Sequence, residues 1–234
     1  GIVCFPELCI TGYGVDRGIR ASAAPLPGEI GHQLCALAER HRMVILAGLA
    51  EKGEGGEVFA SHLAAGPQGW IGAYRKVHIA PPEKNIFDAG QAAPVFEAAG
   101  VRFGIQLCYD AHFPEFATRM ALDGAEVIFM PHASPRGTPE EKRDSWMRHL
   151  PARAFDNGVF VVACNQAGDN GAGLAFPGLA AAIGPDGRVI AAEAGGREGL
   201  LVADLDAGRL AAVRSHPMRY FLPNRRPDLY RPAG

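Results

Sequence analysis

Val101-Arg-Phe-Gly-Ile-Gln-Leu-Cys108-Tyr-Asp-Ala-His-Phe-Pro-Glu115 decides the reading of this chain. The run from Val101 to Leu107 is mostly apolar, as in a buried strand, and it delivers a cysteine at its end. A short polar turn follows, and Phe113-Pro114-Glu115 reads as a helix start, where proline fits the first turn and an acid faces the positive end of the helix. A thiol at the carboxyl end of a buried strand, just ahead of a helix, is where an α/β protein presents a nucleophile. Helix amino termini and nearby backbone N–H groups favour the thiolate, which is the reactive form. Alone, Cys108 reads equally well as a small buried hydrophobe. Its company decides.

Working outward, strand-like runs alternate with helix-like stretches. The pattern predicts strands at Ile2–Phe5, Val44–Leu49, Val58–Ala65, Gly69–Tyr74 and Val95–Ala98, and further ones at Val127–Met130 and Val159–Cys164. Leu179–Gly184 and Val189–Ala192 flank the turn Pro185-Asp186-Gly187, and Gly199–Asp204 reads as the last strand. Helices are predicted over Ile30–Arg42, Phe113–Gly124 and, as one long element, Pro139–Asn157. Hairpins and strand–helix alternation occur together, so the expected architecture is a mixed sheet covered by helices, built as two sheets back to back. Cys164 falls in a buried-strand pattern and is expected in the core.

Composition limits what this fold can do. With 234 residues, 48% hydrophobic and 21% charged, and a formal net charge of -2, the chain suits one α/β domain over residues 1–234 with a substantial core. That charge gives no electrostatic footprint for nucleic acid or an anionic membrane. The five cysteines are odd in number and include no C-x-x-C pair, which argues against a disulfide framework or structural zinc and for a reducing, cytoplasmic setting. No apolar run is long enough to span a bilayer, and no leader pattern is visible. Gly1–Pro6 reads as the middle of a strand rather than a beginning, so residues upstream are expected to be missing.

Three polar residues follow apolar strands in the same way: Glu7 after Ile2–Phe5, Lys76 after Gly69–Tyr74, and Cys108 after Val101–Leu107. Strand carboxyl ends are where open α/β sheets gather their chemistry. A thiolate attacks a carbonyl or nitrile carbon, a carboxylate takes the thiol proton and later activates water, and an ammonium steadies the oxyanion. Each residue also has an ordinary reading: Glu7 as a cap or solvated acid, Lys76 as a surface lysine, Cys108 as core.

FPELCITGY (5–13), YRKVHIAPPEKNIFDAG (74–90) and GIQLCYDAHFPE (104–115) together resemble the three signature blocks of the nitrilase, or carbon-nitrogen hydrolase, superfamily, in the same order. ARAFDNGVFVVACNQAG (152–168), FPGLAAAIGPDG (176–187) and NRRPDLY (224–230) extend the resemblance over nearly the whole chain. It implies a four-layer α-β-β-α sandwich and a Glu-Lys-Cys triad, with no metal or organic cofactor. By position, Glu7 would be the general base, Lys76 the oxyanion-stabilising ammonium and Cys108 the nucleophile. Glu83 would be a second glutamate beside them, and the Tyr109 N–H would complete the oxyanion hole with Lys76. The chain departs from the pattern in lacking the usual first strand and helix, in carrying His112 where an arginine is usual, and in carrying Ala180 where a small hydroxyl residue is common.

The resemblance implies hydrolysis of small amides or N-carbamoyl compounds through a cysteine thioester, with ammonia released. A nitrile substrate and a non-catalytic scaffold role are the alternatives. Loop residues expected near the substrate are Tyr13, His78, His112, His132, Ala133, Ser134, Arg136 and Trp146, with His132 and Arg136 as candidate carboxylate partners. The partner expected, beyond a small-molecule substrate, is a second copy of the chain, as a homodimer or larger assembly.

Overall fold

The computed structural model describes residues 1–14 and 18–230. In chain order its strands and helices are β1 (Ile2–Cys4), α1 (Gly18–Ala21), α2 (Gly28–His41), β2 (Val44–Lys52), β3 (Val58–Gly66), β4 (Gly69–Arg75), β5 (Val95–Ala98) and β6 (Val101–Ile105). There follow α3 (Pro114–Leu122), β7 (Val127–His132), α4 (Pro139–Met147), α5 (Leu150–Asn157), β8 (Phe160–Asn165), β9 (Gly168–Asp169), β10 (Ala175–Phe176), β11 (Gly178–Ile183), β12 (Val189–Gly196) and α6 (Ala207–Arg214).

Two sheets carry the molecule. One has the order β1-β2-β3-β4 and the other β12-β11-β8-β7-β6-β5. Within the second, β6, β7 and β8 run parallel, and the outer neighbours are antiparallel. Residues on a strand alternate between faces, so each sheet splits its apolar set in two. Ile45, Ala47, Leu49 and Leu63 face α2 with Leu34 and Ala38. Leu46, Ala60 and Ala64 join Phe103, Ile105, Ile128 and Val161 of the other sheet in one core. On its far side the second sheet is covered by α4 and α5, and α3 packs against α5. The result is the expected four-layer α-β-β-α sandwich. Strands β2 and β3 are buried on nearly every residue, as strands inside a stack of layers must be.

Four details differ from the sequence reading. The stretch Pro139–Asn157 forms two helices, because Pro151 cannot donate a backbone hydrogen bond and its ring displaces the preceding turn. Strand β6 stops at Ile105 rather than Leu107, since the Leu107 N–H donates to Asp110 Oδ2 at 2.9 Å instead of to a neighbouring strand. Gly199–Asp204 forms no strand, having no hydrogen-bonded neighbour among the described residues, and Leu200 and Val202 are exposed. Cys164 is only half-buried, its thiol donating to the Cys4 carbonyl at 3.6 Å across the two sheets.

Candidate active site

Glu7, Lys76 and Cys108 each leave a strand end and converge between the sheets. Two glycines make this possible. A β-carbon at Gly48 on β2 would collide with the Leu8 backbone nitrogen, so only glycine lets the Glu7–Leu8 turn lie against that strand. Likewise a β-carbon at Gly90 would strike the Arg75 carbonyl, while the Gly90 N–H donates to the Lys76 carbonyl at 2.7 Å. The Gln166 side chain holds the Glu7 carbonyl at 2.7 Å.

The side chains form one chain of charge. Lys76 Nζ, fully buried, donates to Glu7 Oε1 at 2.9 Å and to Glu83 Oε2 at 2.7 Å. Ala133 N–H donates to Glu7 Oε2 at 3.0 Å, and the Tyr13 hydroxyl donates to Glu83 Oε1 at 3.2 Å. Burying two carboxylates and an ammonium is tolerable only because every charge has a partner. Burial pushes the Glu7 carboxyl up to about 7; the Lys76 charge pulls against that, and the Glu83 charge adds to it. Burial also works against the Lys76 ammonium, but Glu7 and Glu83 outweigh it and hold its pKa well above the ordinary value.

Cys108 opens a tight 3-10 turn, Cys108–His112, in the left-handed backbone region at φ +43°. Burial and then the Glu7 charge raise its thiol pKa, while Lys76 and the Ala133 N–H favour the thiolate. The thiol therefore ionises readily only if Glu7 takes the proton, which removes the opposing charge and leaves Lys76 facing the sulfur. The Tyr109 N–H donates to nothing among the described residues.

Asp110, which sequence reasoning passed over, fixes this turn. Its carboxylate accepts from the Leu107 N–H at 2.9 Å, the Tyr74 hydroxyl at 2.6 Å and the His78 N–H at 2.8 Å, and its Oδ1 lies 2.8 Å from His78 Nδ1. His78 also stacks on Phe113, with ring centroids 3.8 Å apart. Its signal in the sequence was position alone: an acid two residues past the cysteine. Asp110→Ala would leave two buried donors and one half-buried donor without an acceptor, a cost of about 3 kcal/mol or more. The expected melting temperature falls by roughly 6–12 °C. Thermal denaturation with the rate measured alongside checks this.

The remaining predicted residues divide. Ala133 lies at the centre through its backbone, and Tyr13 joins through Glu83. His132 is buried against Trp146, with its Nδ1 at 2.7 Å from the Met130 carbonyl, and burial lowers its pKa to about 3, leaving it neutral. The Ser134 hydroxyl accepts a hydrogen bond from Lys142 of α4, a residue outside the sequence-based candidates. His112 is exposed, its ring tilted at 31° against that of His149 with centroids 4.6 Å apart. Arg136 is also exposed and donates its backbone N–H to the Ala175 carbonyl. Two surface clefts, one at Phe155, Asp186 and Arg188 and one at Pro27, Trp70 and Arg75, contain none of these residues. Among the described residues no group of His, Cys, Asp or Glu is placed to hold a metal ion, and no helix is long and apolar enough to cross a membrane.

A four-layer sandwich with a buried glutamate–lysine–glutamate chain beside a strand-end thiol marks a class of α/β hydrolytic fold. The chain belongs to the carbon-nitrogen hydrolase family, whose model matches residues 1–215. It is 31% identical over 239 residues to a nitrilase of Pyrococcus abyssi, covering 98% of this chain and 86% of that one. A 2-oxoglutaramate amidase of Bacillus subtilis is 33% identical over 220 residues, covering 91% and 81%. Among solved structures, a mutant of the amidase from Nesterenkonia sp. AN1, with the acetamide moiety of fluoroacetamide added covalently at the active site cysteine, superposes with a TM-score of 0.82. It is 26% identical, over 98% of this chain and 82% of that one.

Proposed function

We propose that this chain hydrolyses the non-peptide C–N bond of small amides or N-carbamoyl compounds through an acyl-enzyme on Cys108, releasing ammonia. The observation that carries this reading is the fully buried Lys76 held between Glu7 and Glu83 beside the Cys108 turn. A surface lysine would need no such enclosure. The amidase relatives, and the cysteine adduct in the Nesterenkonia structure, support the same chemistry.

In this reading Glu7 accepts the thiol proton as the sulfur attacks the carbonyl carbon. The oxyanion that forms is stabilised by the Lys76 ammonium and the Tyr109 N–H. Collapse expels ammonia with the proton held on Glu7 and leaves a thioester. Glu7 then takes a proton from water, the hydroxide adds to the acyl carbon, and the second collapse restores the thiol and releases a carboxylic acid from an amide, or from a carbamoyl compound a carbamic acid that breaks down to amine and carbon dioxide. Glu83 acts through Lys76, fixing its position and its charge.

The test is ammonia release from a panel of amides, N-carbamoyl amino acids and nitriles, followed across pH. Because Glu7 must be ionised to act as base, kcat/KM is expected to rise with pH through about 7. Glu83→Gln removes a charge that raises the Glu7 pKa, so the acid limb should move to lower pH while the maximum rate falls. A limb that stays in place, or moves up, contradicts the assignment of Glu7 as base.

A further inference from the structure

Lys142 is a cation without an acid. Its ammonium donates to the Ser134 hydroxyl at 2.7 Å, and among the described residues it forms no ion pair. It is partly enclosed, and burial lowers its pKa below the ordinary lysine value. Ionisation of Cys108 would raise it again, which sets this ammonium within electrostatic reach of the nucleophile when the thiol gives up its proton. The other lysine of the site, Lys76, is already occupied by two carboxylates.

Ser134 is held rigidly. Its N–H donates to Asn165 Oδ1 at 2.8 Å, and its carbonyl accepts from Asn165 Nδ2 at 3.1 Å, which also reaches the Pro177 carbonyl. One residue earlier, the Ala133 N–H holds Glu7. The same short segment therefore fixes the carboxylate of the centre and, one residue on, a hydroxyl that carries a cation. With Lys142 donating to its oxygen, the Ser134 hydroxyl keeps its own proton free to donate. An ammonium and a hydroxyl at 2.7 Å present adjacent donors to one anion. A partly desolvated, unpaired ammonium costs free energy that an anionic ligand recovers. A carboxylate on the substrate would also be repelled from the Glu7–Glu83 pair and drawn to this side.

We propose that Lys142 and Ser134 bind a carboxylate carried by the substrate at the end remote from the C–N bond that is cleaved. The substrates are then anionic: ω-amides of dicarboxylic acids, or N-carbamoyl acids, in preference to neutral or cationic amides. This rests on the hydrolase reading above and narrows its substrate class.

The test uses matched probes, succinamate and glutaramate against butanamide and pentanamide. Turnover is measured in wild type, Lys142→Met, Lys142→Arg and Ser134→Ala. Binding is measured by calorimetry in the same variants combined with Cys108→Ala, where no chemistry intervenes. The expected result is a wild-type preference for the carboxylate probes in kcat/KM that falls about 10- to 100-fold in Lys142→Met and is largely restored in Lys142→Arg. Binding of the carboxylate probes to the Cys108→Ala protein should weaken by a similar factor when Lys142→Met is added. A wild type that treats both probe sets alike, or a Lys142→Met protein that loses both equally, overturns the proposal while leaving the hydrolase reading intact. Lys142-dependent binding without turnover in any wild-type assay would sustain the carboxylate site and count against the hydrolase reading instead.

Discussion

Cys108→Ala is expected to abolish ammonia release on every substrate that the wild type turns over, a loss of about 10⁵-fold or more. The substitution removes one sulfur atom from a half-buried position and asks nothing new of the backbone, so the fold should survive with a melting temperature within a few degrees of wild type. Mass spectrometry adds a direct readout. Wild type quenched during turnover should carry an acyl group on the peptide containing Cys108. Cys9 and Cys35 are poor rivals: Cys9 is exposed but its thiol is pushed up to about 11 by burial of the sulfur, and Cys35, also raised by burial, lies in α2 on the outer layer. Residual turnover above about one hundredth of the wild-type rate in Cys108→Ala would sink the nucleophile assignment.

Lys76→Met should be the most destabilising single change in the centre, as well as inactivating. It leaves Glu7 and Glu83 facing each other in a buried site with no cation between them. Removing one partner of a buried ion pair costs about 3–5 kcal/mol, which for a chain of this size lowers the melting temperature by roughly 6–20 °C. The pH dependence gives the sign. A carboxylate whose folded pKa exceeds its unfolded value stabilises the fold in its protonated form, so its contribution is present below the unfolded value of 4.5 and is lost as pH rises through about 7. Without Lys76 that upward shift grows. The gap in melting temperature between wild type and variant should accordingly be widest at pH 8 and narrow toward pH 5, a comparison that calorimetry makes directly. A gap independent of pH would mean that the lysine acts by packing alone.

The parts of the fold that could be read from sequence were those with a local signal. Alternating buried runs marked the strands, Pro185-Asp186-Gly187 marked the β11–β12 hairpin, and the strand-end positions of Glu7, Lys76 and Cys108 marked the centre. What escaped had its cause elsewhere in the chain. Apolar Gly199–Asp204 looked like a strand, but a strand needs a hydrogen-bonding neighbour, and a composition pattern cannot say whether one exists. The break between α4 and α5 is legible at Pro151, which a single element over Pro139–Asn157 leaves unread. Asp110 is four hydrogen-bonding contacts in space and one acid in a polar turn in sequence. Lys142 had no signal at all, because its meaning depends on Ser134 and Cys108 lying against a helix face that sequence alone presents as solvated.

The left-handed backbone at Cys108 also restricts what this centre can become. Side chains with a single substituent at the β-carbon tolerate φ near +43° at modest cost, but a branched one crowds the preceding carbonyl. Serine can therefore be placed at this position without disturbing the turn, whereas threonine, a nucleophile in other hydrolases, would have to distort the backbone that aims it. For anyone redesigning the chain, the repertoire of attacking atoms is set by one dihedral angle before any question of reactivity arises.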